Sequence, residues 1–176
     1  TVVDCALCLA EEEAFVVACA GLHELARYRR FYRDDSRQRE EHSRERLLRL
    51  IGPSSQGRRH AISARWIVTH ADAGCESAGE SRLLYLLVRG GLQGLETQYP
   101  VSAANKWYFI DIAIPEHRIG IEFDGRGKYG SDVDSVHRSI EAEERRQRLL
   151  EAQGWRMGSP RPPRGSHRTD PGVAWP

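Results

Sequence analysis

Between Trp107 and Gly125 the chain reads WYFIDIAIPEHRIGIEFDG, with Ile and aromatic residues at alternate positions on both sides of Pro115. That alternation predicts two strands, 107–114 and 119–124, joined by a turn at Pro115-Glu116-His117-Arg118. A turn centred on Glu116 and His117 puts Asp111 opposite Glu122. Because side chains alternate across a sheet, Ile110, Ile112, Ile114, Ile119, Ile121 and Phe123 then share one face. Phe109, Asp111, Ala113, Gly120, Glu122 and Asp124 share the other.

The rest of the pattern is mostly helical. Residues 1–21 predict one or two short helices: Thr1 and Asp4 form a capping-box pair, Glu11 to Glu13 place negative charge at a helix start, and an apolar run ends at Gly21. Arg27 to Arg49 is rich in arginine and glutamate with Tyr28, Phe31 and Tyr32 among them. It reads either as a solvated helix laced with ion pairs or as a surface that meets phosphates and bases. A helix follows over 58–70, then the small-residue linker 71–79. Ser77 and Glu80 form a capping box for a helix carrying Leu83, Leu84, Leu86 and Leu87 and stopped by Gly90-Gly91. Residues 95–102 form a strand that Pro100 confines to a sheet edge, and 131–153 a long helix with Val133, Val136, Ile140, Leu149 and Leu150 as its apolar stripe. After Trp155 the chain turns rich in Pro, Gly and Arg.

These elements predict an α/β protein organised as a helical N-terminal region over 1–72, a mixed α/β core over 77–157 and a disordered tail over 158–176. At 176 residues the chain can bury a real core. Its 26 basic and 25 acidic residues nearly cancel, so any nucleic-acid binding rests on local patches. No apolar run approaches the roughly 20 residues that span a bilayer, and no signal peptide is visible. A cytoplasmic protein without membrane partners is expected. Cys5 and Cys8 make a single C-x-x-C with no second pair at zinc spacing, and with Cys19 they read as buried free thiols rather than a metal or redox site. His60 and His70 have no partner at ligand spacing. The chain starts at Thr1 and its only methionine is Met157, as expected of a start that is processed, trimmed or a fragment of a longer product.

Chemistry concentrates in the hairpin. Directly opposed side chains have Cβ atoms roughly 4.5–5.5 Å apart, and like charges there destabilise a sheet. Asp111, Glu122 and Asp124 therefore need either full solvation or a cation. Mg²⁺ takes one or two carboxylates and completes its octahedron with water and phosphate oxygens, and the small neighbours Ala113 and Gly120 leave room for one.

The ordered set Glu80-Ser81, Gln98-Tyr99-Pro100-Val101, Phe109-Ile110-Asp111, Ile121-Glu122-Phe123-Asp124-Gly125, Lys128-Tyr129, Arg145 and Gly154-Trp155 resembles the core of the PD-(D/E)xK nuclease superfamily. Within it, the match is to the very-short-patch-repair-like branch found in actinobacterial and antitoxin-like proteins. The resemblance implies a restriction-endonuclease-like sheet: a three-strand antiparallel meander, a crossover helix and a fourth strand, short or missing here because the chain after Met157 lacks alternating apolar residues. It implies a DNA endonuclease using Mg²⁺ or Mn²⁺ on double-stranded DNA, with Asp111 and Glu122 as metal ligands and catalytic residues and Asp124 as a third ligand or water-positioning base. It adds Glu80 as a metal ligand, although the capping box already accounts for that residue. The superfamily places a lysine where Asp124 stands, so Lys128 is the substitute that it implies, against the plain reading of a surface lysine. Lys128, Arg126 and Arg145 are then expected to meet nucleic acid, Arg145 alternatively belonging to a charged helix face. The rival expectation is an inactive, antitoxin-like nucleic-acid-binding protein that keeps the nuclease fold.

Overall fold

In a computed structural model, which describes residues 1–52, 58–123 and 133–158, the chain forms helices followed by a four-strand mixed sheet. The order is α1 Val2–Cys8, α2 Glu11–Ala26, a 3-10 turn Arg30–Tyr32, α3 Arg33–Ile51, α4 Arg58–His70, α5 Ala78–Arg89, β1 Glu96–Ala103, β2 Lys106–Ile114, a 3-10 turn Pro115–His117, β3 Ile119–Ile121, α6 Val133–Ala152 and β4 Arg156–Gly158. The sheet runs β1-β2-β3-β4. The first three strands are antiparallel, and β4 returns parallel to β3 after α6. Pro100 lies on the edge strand, where its missing N–H costs the ladder least. The short fourth strand expected from the sequence is the three residues of β4. The tail from 159 onward lies outside the described residues, as do the side chains of Val133, Val136 and Ile140. No helix among the described residues is long and apolar enough to cross a membrane.

The hairpin has the expected register: Ile112 pairs with Ile121, Ala113 with Gly120 and Ile114 with Ile119. The faces differ from the expectation, which put all the isoleucines together. Ile112 joins the core formed with the N-terminal helices, whereas Ile110 packs with Val101, Ala113, Leu150 and Trp155. The cause is a break in alternation shared by two strands. Gln98 has φ of 47°, left-handed backbone that a strand interior rarely contains. In the β1/β2 ladder, Thr97 pairs with Ile112 and Tyr99 with Ile110, so Gln98 falls opposite Asp111 at the one step without a ladder pair. On either side of it Thr97 faces Arg37 and Asp72 while Tyr99 faces Trp155. Both strands flip together, which preserves register while exchanging faces.

The second correction concerns the space beside the acids. A Cβ on Gly120 would press on Met157 and Ile110, and Ala113 is fully buried. The small residues at 113 and 120 therefore admit the chain's own β4 and β2 side chains, not a ligand.

The N-terminal helices and the sheet share one core, which contains Phe15, Leu22, Ile51, Ile67, Leu84 and Ile112. The segment expected to be a linker is the inside of that seam: Ala71, Ala73 and Cys75 are buried, and a Cβ on Gly74 would overlap Thr97. Small residues here reflect close approach rather than looseness. Gly21, expected to stop a helix, instead lies inside α2, where a Cβ would overlap Val2 of α1. The arginine-rich segment is likewise only partly solvated. Glu40 of α3 is buried and accepts from Arg37, Arg44 and the Ala73 N–H, while Arg37 reaches Asp72 and Thr97. A cleft of about 340 Å³ lies beside this network, lined by Arg33, Arg37, Glu40, Arg44, Asp72 and Glu96, and these charges are already paired with one another.

Candidate active site

The candidate site forms where the antiparallel partners β2 and β3 stop pairing in one ladder and start to diverge. β3 ends at Ile121, and the next residue, Glu122, still bonds through its N–H to the Gly158 carbonyl of β4, at 3.0 Å. The ladder continued by one step faces Glu122 with Asp111. Asp111, at the break in alternation, accepts the Phe123 N–H on Oδ2 at 2.9 Å. Its carboxylate thereby closes the end of the hairpin, a position that a regular strand would not give it.

Two further charges reach the pair. Arg146 on α6 donates to Glu122 Oε1 and to the Phe109 carbonyl, each at 2.7 Å, and so ties the crossover helix to both acid-bearing strands. The sequence pointed to Arg145, which is exposed; one residue is a rotation of about 100° on a helix. Glu80 sits at the start of α5, buried, with Oε2 accepting the Glu76 N–H and Oε1 accepting from Ser77 Oγ. Ser77 caps Glu80 as expected, but the return bond of the predicted box comes from Glu76 and the serine hydroxyl.

The environment raises both glutamates. Burial is the largest influence on Glu122 and carries its carboxyl up to about 7; the Arg146 hydrogen bond opposes this and the Asp111 charge adds to it. Burial likewise raises Glu80, against the pull of its Glu76 and Ser77 bonds, and Asp111 adds to the rise. Glu80 and Glu122 therefore each feel the Asp111 charge. Asp111 is the common neighbour.

No three His, Cys, Asp or Glu among the described residues are gathered closely enough to hold a metal ion by themselves. Two carboxylates nevertheless suit Mg²⁺, which keeps several waters and takes phosphate oxygens for the rest. A further observation fits a cation. Gln98, opposite Asp111 in the β1/β2 register and 1% exposed, has a side-chain oxygen with no hydrogen-bond partner. An orphaned, hard oxygen on the residue in register with a carboxylate is the donor type that Mg²⁺ accepts. Sequence periodicity gave no signal for Gln98 or Arg146, because the first depends on a strand irregularity and the second on helix phase. Asp124, Arg126 and Lys128 lie outside the described residues.

No family model matches the chain, and no solved structure is significantly similar to it. Two uncharacterised proteins of Mycobacterium tuberculosis, from strains CDC 1551 and H37Rv, are each 33% identical over 70 residues. That match covers 39% of this chain, and the chain spans about a quarter of the length of these relatives (26%).

Proposed function

We propose that this chain is a metal-dependent endonuclease that hydrolyses phosphodiester bonds of duplex DNA, with a restriction-endonuclease-like arrangement of its four strands. The observation that carries the reading is Asp111 and Glu122 facing one another at the point where β3 leaves β2, with Arg146 and Glu80 closing around them. A protein selected for stability alone gains nothing from opposed acids at a half-buried strand end.

In this reading Asp111 and Glu122 hold Mg²⁺ or Mn²⁺, with the Gln98 oxygen available as a neutral donor. The bound cation lowers the pKa of a coordinated water and offsets charge developing on the phosphate. The Phe123 N–H fixes one Asp111 oxygen, so the carboxylate is oriented before any ligand arrives. Arg146 holds Glu122 and carries a planar guanidinium able to donate to a phosphate oxygen from the same place. Glu80, with both oxygens engaged at the start of α5, acts as a positioning residue that fixes the helix beside Asp111. Asp124 serves as third ligand or water-positioning base, Lys128 as the cation next to the phosphate, and Arg126 and Arg145 as backbone contacts.

A second reading, a nucleic-acid-binding protein without hydrolysis, is favoured by one feature: Arg146 already supplies Glu122 with a positive charge at 2.7 Å. Cleavage of supercoiled plasmid in Mg²⁺ or Mn²⁺ separates the two. The expected outcome is metal-dependent nicking that falls by about a hundredfold or more in both Asp111→Ala and Glu122→Ala. A folded chain that binds DNA and does not cut it under either metal sinks the hydrolytic reading and leaves the second.

A further inference from the structure

We infer that Cys19 of α2 and Cys75 of the buried seam form a redox lock, in which an oxidant of the peroxide class joins the two thiols in a disulfide that ties α2 to the start of α5. The inference does not depend on the nuclease reading. It stands on the packing where α2, the seam and α5 meet.

Both thiols are buried, Cys19 completely and Cys75 with 5% of its surface exposed, and both belong to the core that joins the N-terminal helices to the sheet. The fold brings them together across Asp72. The Asp72 N–H donates to Cys19 Sγ at 3.4 Å, and the Asp72 carbonyl accepts the Cys75 N–H at 3.5 Å, closing a turn beside α2. The two thiols complete the contact with a hydrogen bond of their own. One turn further along α2, His23 Nδ1 lies 2.8 Å from the Ala73 carbonyl, so helix and seam are held side by side in a fixed register.

The other two thiols are placed differently. Cys8 is exposed and Cys5 half-buried, both on α1. Cys19, which the sequence grouped with them as a buried free thiol, is instead one half of a pair whose other half lies far along the chain. Packing alone asks only for small apolar side chains at the seam, as Ala71 and Ala73 supply. Two sulfurs in contact add the one covalent bond open to core side chains.

The hydrogen bond to Cys19, and burial after it, push the Cys75 thiol well above its ordinary value, so Cys75 stays protonated and unreactive while the seam is closed. Access comes from the course of the chain. Glu76, Ser77 and Ala78, directly after Cys75, are exposed, so a local opening at the start of α5 uncovers the thiols without unfolding the core. One thiol then loses its proton and its sulfur attacks the O–O bond of hydrogen peroxide, giving a sulfenic acid and, with that proton, water. The second thiol attacks the sulfenic sulfur, and the expelled hydroxide takes the remaining proton as a second water. Two thiols and one peroxide become one disulfide and two waters. The bond closes a long loop from α2 to the seam and so restricts the unfolded chain. It also fixes the residue that precedes Glu76, whose N–H holds Glu80 at the head of α5.

The test exposes the folded chain to hydrogen peroxide overnight without denaturant, blocks the remaining thiols with N-ethylmaleimide in denaturant, and digests the unreduced chain after glutamate, which separates Cys8 from Cys19 at Glu11 to Glu13. The expected product is a Cys19 peptide joined to a Cys75 peptide, two hydrogens lighter than the separate pair. With it the melting temperature rises by about 5–15 °C, and dithiothreitol reverses the rise. Cys19→Ala and Cys75→Ala each abolish the rise, whereas Cys8→Ala keeps it. Where an alanine variant fails to fold, the linked peptide and the melting shift of the parent decide. The inference is overturned if Cys19 and Cys75 are both recovered as N-ethylmaleimide adducts from a chain whose Cys8 is oxidised. It is overturned equally if either is joined to Cys5 or Cys8 or oxidised singly, or if the linked chain melts no higher than the reduced one.

Discussion

Glu122 is the residue whose protonation is tied most directly to folding. Its carboxyl is carried by burial from an ordinary 4.5 up to about 7, so the folded chain binds this proton more tightly than the unfolded chain does. The stabilisation linked to that proton is complete below about pH 4.5 and is lost as pH rises through about 7. In the absence of divalent metal, the melting temperature is therefore expected to fall over that window, and Glu122→Gln should flatten this part of the profile. The span is of order 3 kcal/mol. A metal ion held by Glu122, as proposed, would compete with the same proton, so Mg²⁺ should raise the melting temperature more at pH 8 than at pH 6. An equal Mg²⁺ shift at both values would place the ion elsewhere. At this scale the sequence brought Asp111 and Glu122 together by strand alternation and placed Glu80 by the capping box it forms with Ser77. It missed Gln98 and found Arg145 in place of Arg146, because a left-handed strand residue and the rotational phase of a helix are set by contacts across the sheet.

At the scale of elements, close approach overrides propensity. Gly79 lies in the first turn of α5, where exchange for alanine would ordinarily stabilise a helix by up to about 1 kcal/mol. Here the added Cβ would overlap the Phe123 ring, and the Phe123 N–H is the one that holds Asp111. Gly79→Ala is expected to cost about 1–3 kcal/mol in chemical denaturation and to weaken Mg²⁺ binding at the same time. A gain in stability would show that the ring turns aside freely. The α3 network makes the converse case. Glu40→Ala leaves Arg37 and Arg44 without their buried carboxylate and the Ala73 N–H without its acceptor, and should cost about 3–5 kcal/mol. A cost below about 1 kcal/mol would mean that water replaces the carboxylate. The existence, type and rough bounds of the helices and strands followed from periodicity and caps, as with Arg58–His70. The extension of α2 through Gly21 did not, because a glycine that permits helix contact and a glycine that ends a helix look alike in one dimension.

Over the whole molecule, the helical region and one side of the sheet share an apolar core, with Leu84 and Ile112 among the residues of the N-terminal helices, while Val101, Ile110, Ala113, Leu150 and Trp155 form a second cluster. Such a chain should unfold in one calorimetric transition. The segment 77–158 expressed alone should lack cooperative unfolding, since it would expose the face that Phe15, Leu22 and Ile67 cover. Two separate transitions, or a stable 77–158 fragment, would support a domain boundary at residues 73–76. The sequence by itself determined the elements, the hairpin register and the edge placement of β1, because alternation, proline and turn chemistry are local properties. It brought Asp111 and Glu122 to neighbouring positions for the same reason. The tertiary structure decided which face each side chain occupies on either side of Gln98 and Asp111, which arginine meets the acids, and that the small residues of 71–76 are a packed seam. These outcomes depend on contacts between segments far apart in the chain, and only the folded arrangement brings those segments together.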